Sequence, residues 1–226
     1  MAGMQTTRVD FHLHSTYSDG VLSPAELVER LAADEVSFAA LTDRNSVGGL
    51  SEFAEAASRH GIGTITGVEL AAHYSEYEAH VLGYGFDPGD PALLAALGSV
   101  PQHHAHHRES AVAPESGASQ GGYADGTGSA PVVAHEGTLD IESAIRIIHE
   151  AGGKAFLAHP LQPRPDTERL RGILQDLRQI GLDGIEAPNG ASAENAGEQL
   201  GQMAAELDLM ICAGADMELR RAPGES

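Results

Sequence analysis

The stretch VDFHLHSTYSDGVLSPAELVERLAADEVSFAALTDR, residues 9–44, holds a strand, a loop, a helix and a second strand, and its reading decides the fold class. Apolar residues alternate from Arg8 to Leu13, the period-two pattern of a short strand, and a polar loop carrying Ser15 to Asp19 follows. Ser23-Pro24-Ala25-Glu26 then supplies an N-cap hydroxyl, a proline at the first helical position and a glutamate at the third, leading into LVERLAADE. Val36 to Leu41 reads as a buried strand.

Outward from this unit the alternation repeats. Leu50 to His60 reads as a helix, Gly63 to Val68 and His80 to Phe86 as strands, and Pro91 to Leu97 as a short helix. From about Val100 to Gly137 the chain is rich in Gly, Ser, Pro, His and Ala without periodicity, which predicts a mobile loop. Order resumes with a helix over Ile141 to Ala151 that stops at Gly152-Gly153. Strands over Lys154 to Ala158, Gly184 to Glu186 and Leu209 to Ala213 then alternate with helices over Thr167 to Ile180 and Glu194 to Leu207. Such alternation predicts one α/β domain over residues 1–226, with parallel strands joined by right-handed crossovers in a barrel or an open doubly wound sheet.

Composition narrows the function. Thirteen basic against thirty-three acidic residues give a net charge of -20, and Lys154 is the single lysine. That excludes a surface built to coat long nucleic acid, which is bound mainly through Lys and Arg. Bound divalent cations can still reverse the potential inside a cleft, so small or terminal phosphoesters remain accessible substrates. Only Cys212 is present, which leaves no disulfide framework and no thiolate metal site. The opening MAGMQTTRVD lacks a signal-peptide pattern and no apolar run reaches spanning length, so the expectation is a cytoplasmic protein without a membrane partner.

In parallel α/β folds functional groups gather at the C-terminal strand ends. Strand one ends in His12-Leu13-His14, whose spacing points both imidazoles to one side, with Asp19 in the loop beyond. Asp43, Glu69, His159, Glu186 and Asp216 lie at or just past later predicted strand ends, and His80 opens its strand. Imidazoles mixed with carboxylates suit Zn, Mn or Fe. Asp43 reads either as a group orienting a ligand or as a turn cap, and Glu186 has the same two kinds of reading, the structural one favoured. His60, His73 and His149 read as helix-end or surface residues, and His103, His104, His106 and His107 as part of the aperiodic loop.

The runs VDFHLHSTYSDG, ALTDRNSVGG, TGVEL, HVLGYG, GGKAFLAHP, GLDGIEAPN and GADME resemble, in order, the motifs of the PHP (polymerase and histidinol phosphatase) superfamily, from about Val9 to Glu218. The resemblance implies a distorted seven-stranded β/α barrel with up to three divalent metals at the strand ends and phosphoester hydrolysis by water. It implies that His12, His14, Glu69 and Asp216 hold one metal, and Glu69, His80 and His159 a second. The third site of the family would use Asp19, but its two histidine positions are Arg44 and Glu218 here. Arginine stays protonated and cannot ligate a metal, so two ions are expected, or three if Asp19 still serves as a ligand; Arg44 would stand in for the third and pair with Asp19 or Glu218. Arg44 and Arg164 are then candidate phosphate clamps in catalysis.

The function so implied is a metal-dependent phosphoesterase acting on a small phosphomonoester, a nucleotide or an oligonucleotide end. Two alternatives compete with it. A degenerate barrel could bind metal or nucleotide as a regulatory module. Amidohydrolase-like chemistry would call for a lysine at the site, whereas Lys154 begins its strand at the far end.

Overall fold

The computed structural model describes residues 8–75, 77–99, 138–160, 166–188 and 194–214. β1 (Arg8–Leu13), α1 (Pro24–Ala33), β2 (Val36–Leu41) and α2 (Leu50–His60) form where the sequence predicts them. α1 starts at a capping box: Ser23 Oγ accepts from the Glu26 amide at 3.3 Å, and Glu26 Oε2 accepts from the Ser23 amide at 2.8 Å. α2 ends at Gly61, whose φ of 72° lies in the left-handed region that glycine enters without a Cβ penalty. Leu27, Val28 and Leu31 of α1 and Phe53 of α2 pack over Leu13 and Leu41 in one buried cluster. β3 (Gly63–Thr64) completes a three-stranded parallel sheet in the order β1-β2-β3.

The chain then enters a second sheet, and here parallel pairing gives way. β4 (Gly67–Tyr74) and β5 (Tyr77–Tyr84) form an antiparallel hairpin. After them come α3 (Pro91–Ser99), β6 (Leu139–Asp140), α4 (Ile141–Glu150), β7 (Lys154–Leu157), α5 (Thr167–Gln179), β8 (Gly184–Pro188), α6 (Glu194–Glu206) and β9 (Met210–Gly214). The order is β6-β4-β5-β7-β8-β9, with β5 antiparallel to both of its neighbours and the remaining pairs parallel. The strand expected over Gly63 to Val68 is thus split between two sheets. Gly67 permits the split, because a Cβ there would stand 2.5 Å from the Leu41 carbonyl oxygen.

The described strands therefore hydrogen-bond as a three-stranded and a six-stranded sheet, where a seven-stranded barrel was expected. The sheets meet along two seams. β1 lies beside β9, and an isolated bridge joins Arg44 to Glu69. Leu82, Tyr84, Phe156 and Cys212 of one sheet and Ala40 of the other share a small buried cluster, and the Tyr84 hydroxyl donates to the Phe11 carbonyl at 2.7 Å. Burial pushes the Cys212 thiol up to about 12. The main core lies on the outer side of the larger sheet, where Ile145, Ile148, Leu174 and Leu177 of α4 and α5 cover Val68, Leu70 and Val81. No helix among the described residues is long and apolar enough to cross a membrane.

Asp183, just before β8, ties α4 to β7 and β8. Its Oδ2 accepts from the Ala155 amide at 2.9 Å and pairs with His149 Nε2 at 2.7 Å, and its Oδ1 accepts from Lys154 Nζ at 2.7 Å. Burial raises the carboxyl pKa, but the bonds from Lys154, Ala155 and His149 outweigh it and hold the group below its ordinary value. A depressed folded-state value means stability present above the unfolded pKa of about 3.9 and lost as pH falls through the folded one. Asp183→Ala is expected to cost about 2 kcal/mol in urea unfolding at neutral pH. The gap to the parent should close below about pH 4; a gap independent of pH would contradict the ionised pairing.

Candidate functional site

Glu69, third residue of β4, is fully buried at the seam between the sheets and faces four imidazoles. Its Oε1 lies 3.6 Å from His12 Nε2, 2.8 Å from His80 Nδ1 and 3.5 Å from His159 Nε2, and its Oε2 lies 3.4 Å from His14 Nε2. Two groups result, His12/His14/Glu69 and Glu69/His80/His159, each compact enough to hold a metal ion and sharing Glu69. Local geometry explains the convergence. His12 and His14 are two residues apart at the end of β1, so both rings project to one side, with centroids 5.1 Å apart. In the hairpin Glu69 opposes Leu82 and Ala71 opposes His80, which puts Glu69 and His80 on the same face.

The rule of C-terminal strand ends applies to β1 and to His159, two residues past β7, and fails for the hairpin. Glu69 lies near the start of β4 and His80 in the middle of β5, because the chain reverses between them. His73 is likewise no helix-end residue: it lies in β4, with Thr138 Oγ1 3.4 Å from its Nδ1.

Carboxylates and hydroxyls behind the histidines orient their rings. Asp43 Oδ1 accepts from the Ser15 amide at 2.7 Å and from Ser18 Oγ at 2.6 Å, and its Oδ2 accepts from Ser15 Oγ at 2.7 Å. With its proton given to Asp43, Ser18 Oγ is left as the acceptor for His14 Nδ1 at 3.3 Å, so the His14 Nε2 lone pair faces Glu69. Glu186 orients His12, accepting from Nδ1 at 2.8 Å on Oε1, which turns Nε2 toward Glu69. Its Oε2 accepts from the His159 amide at 2.7 Å, which braces His159 at a φ of 30° just before Pro160. Asp43 therefore positions a histidine as well as bounding a turn, and Glu186 does more than the structural task expected of it. Ser15 and Ser18 escaped the sequence reading; a hydroxyl four residues after His14 is the signal that could have found them.

The charges are coupled. Burial raises the Glu69 carboxyl pKa, but the neighbouring His12, His159 and His80 imidazoles hold it well below the usual range. Burial lowers the His12 value, yet Glu186 and Glu69 overcome it and push His12 up to about 10. Burial keeps His14 below its ordinary value, against the pull of Glu69. Two buried carboxylates thus demand positive charge at this point, which a proton or a cation can supply.

A divalent ion fits the donor set. Ligand atoms about 2.1 Å from a tetrahedral ion stand about 3.4 Å from each other, and three of the Glu69 distances are 3.4, 3.5 and 3.6 Å. His14 Nε2 and Glu69 Oε1, which face each other's group across the site, are buried yet make no hydrogen bond of acceptable geometry.

Arg44 adds a fixed cation. Its Nη1 lies 2.6 Å from Asp19 Oδ2 and its Nε 3.1 Å from Glu69 Oε2. Asp19, expected to ligate a metal, is engaged by this guanidinium and stands outside both histidine groups. Arg164, Asp216, Glu218 and the histidine-rich stretch 100–137 lie outside the described residues. Lys154 is at the start of β7, paired with Asp183 and remote from the cluster.

The PHP domain family matches residues 10–220. A 5'-3' exoribonuclease of Haemophilus influenzae is 31% identical over 93% of this chain and 90% of its own length. A 3',5'-nucleoside bisphosphate phosphatase of Chromobacterium violaceum is 29% identical over 96% of this chain and 88% of its own length. Among solved structures, an amidohydrolase from Chromobacterium violaceum with bound sulfate and no metal superposes with a TM-score of 0.76 at 25% identity, covering 96% of this chain and 89% of that one. A family match over nearly the whole chain, an exoribonuclease and a phosphatase as relatives, and a shared carboxylate ringed by histidines agree: the chain belongs to the PHP domain family.

Proposed function

We propose that the chain is a metal-dependent phosphoric ester hydrolase acting on a small phosphomonoester, a nucleotide or an oligonucleotide end. The observation that carries this reading is Glu69, one buried carboxylate common to two histidine groups. His12, His14 and Glu69 would hold one divalent ion, with Asp216 as the remaining ligand, and Glu69, His80 and His159 a second. Bound there, Zn, Mn or Fe supplies a lowered pKa for water and neutralisation of phosphoryl charge. The two relatives act on phosphate esters of nucleotides or RNA by name, and a net charge of -20 favours small or terminal esters over long polyanions. The seams between the sheets support reading them as halves of one distorted barrel.

The protein's own groups divide the remaining work. Asp43, through Ser18, and Glu186 orient the His14 and His12 rings. Arg44 takes the place of a third cation, holding Asp19 and Glu69 and standing ready for phosphate oxygens, while Arg164 is a second clamp. No protein nucleophile is required.

A panel of phosphate esters assayed with Mn, Zn or Fe is expected to reveal turnover. His14→Ala should abolish it while thermal unfolding shows the fold retained. Tight metal binding without turnover on any ester would favour a regulatory module instead. If Arg44 replaces an ion, the double variant Arg44→His, Glu218→His should bind more metal per chain than the parent by elemental analysis. Unchanged stoichiometry would sink the replacement idea.

A further inference from the structure

A cavity of about 190 Å³ opens beside the histidine cluster, between the β4–β5 hairpin and α5. His80 and His159 line it and also belong to the Glu69/His80/His159 group, so it adjoins the place where a phosphate would be processed. Its other walls differ in kind from that cluster. Ile173 and its α5 neighbours Leu170 and Leu177 make an apolar floor, and Tyr74 and Tyr77 come from the hairpin end. The Arg169 guanidinium lies over the Tyr77 ring, 4.8 Å from its centroid, and also bonds the Tyr77 hydroxyl.

We infer that this cavity is a subsite for the aromatic base of a nucleotide whose phosphate lies at the histidine cluster, an inference that rests on the phosphoesterase reading. Size permits it: closed apolar cavities of roughly 150 Å³ already take up a benzene ring. Charge selects for it. Among the described residues the lining holds one guanidinium, already turned to Tyr77, and the Glu78 carboxylate, while His80 and His159 face the cluster, so these residues lack the surplus of positive charge a second phosphate would need. A flat guanidinium–phenol pair beside aliphatic side chains is suited to a neutral ring, since base–aromatic stacking tolerates any base.

The test compares kcat/KM for adenosine 5'-monophosphate and ribose 5-phosphate in the metal-loaded full chain. Tyr77→Ala, which removes the platform, and Ile173→Phe, which fills the cavity, should each lower the nucleotide-to-sugar ratio by about tenfold. An unchanged ratio in both variants would overturn the subsite. If the parent hydrolyses neither ester, equilibrium dialysis with adenosine decides the inference, while the hydrolase reading stands or falls on the wider ester panel. Adenosine bound by the parent and lost in Ile173→Phe sustains the subsite; adenosine not bound by the parent rejects it.

Discussion

Glu69→Gln is expected to empty both ion-binding groups together and to lower kcat/KM by about a thousandfold, equivalent to ~4 kcal/mol of barrier. Both groups use this one carboxylate, and its oxygens are the common neighbours of His12, His14, His80 and His159. The amide is isosteric but neutral. It leaves imidazoles and the Arg44 guanidinium facing each other around a site without the charge that attracts a cation, and amide oxygens are poorer ligands for borderline ions than carboxylates. Elemental analysis with parallel kinetics checks this. Retention of one ion per chain with a tenth of the parent's activity would show that the groups are independent.

Glu186→Ala is the second large expectation: a drop of about 10–100-fold in metal affinity, with a matching loss of turnover at limiting metal. Glu186 holds His12 through Nδ1 and His159 through the backbone amide. Truncation frees the His12 ring to rotate or change tautomer. It also removes the bond that braces a residue preceding proline at positive φ, a conformation unfavourable for such a residue. Both ion-binding groups should therefore weaken, although none of their members is altered. Competition with a colorimetric chelator gives the affinity. Saturating metal should restore part of the turnover, and failure of any such rescue would mean that Glu186 acts by another route.

Much of this was readable from the chain. His12 and His14 were legible because a strand repeats every two residues, and α1 because its Ser23 and Glu26 signals are local. The β4–β5 hairpin was not. Alanines at 71 and 72 weaken the strand pattern, and the turn after Tyr74 passes through Ser75 at a φ of 57° without the Asn-Gly or Asp-Gly pair that announces a hairpin. The antiparallel reversal and the interior positions of Glu69 and His80 were lost with it. The choice between the two readings of Glu186 is not legible in the sequence, because its partner His12 is 174 residues away in the chain and no local pattern reports such a contact. Arg44 was identified as a departure in the motif, and its pairing with Asp19 is one of the two alternatives the sequence offered.

The placement of Glu69 at a seam has a mechanical consequence. His12 and His14 ride on the three-stranded sheet, while Glu69, His80 and His159 ride on the six-stranded one. An ion in the first group is thus a rivet between two separately hydrogen-bonded halves, and its binding energy becomes cohesion of the whole fold. At a free concentration one hundred times its dissociation constant, an ion that binds only the folded chain contributes about 2.7 kcal/mol. Metal supply would in this way govern how long the protein survives as well as whether it works.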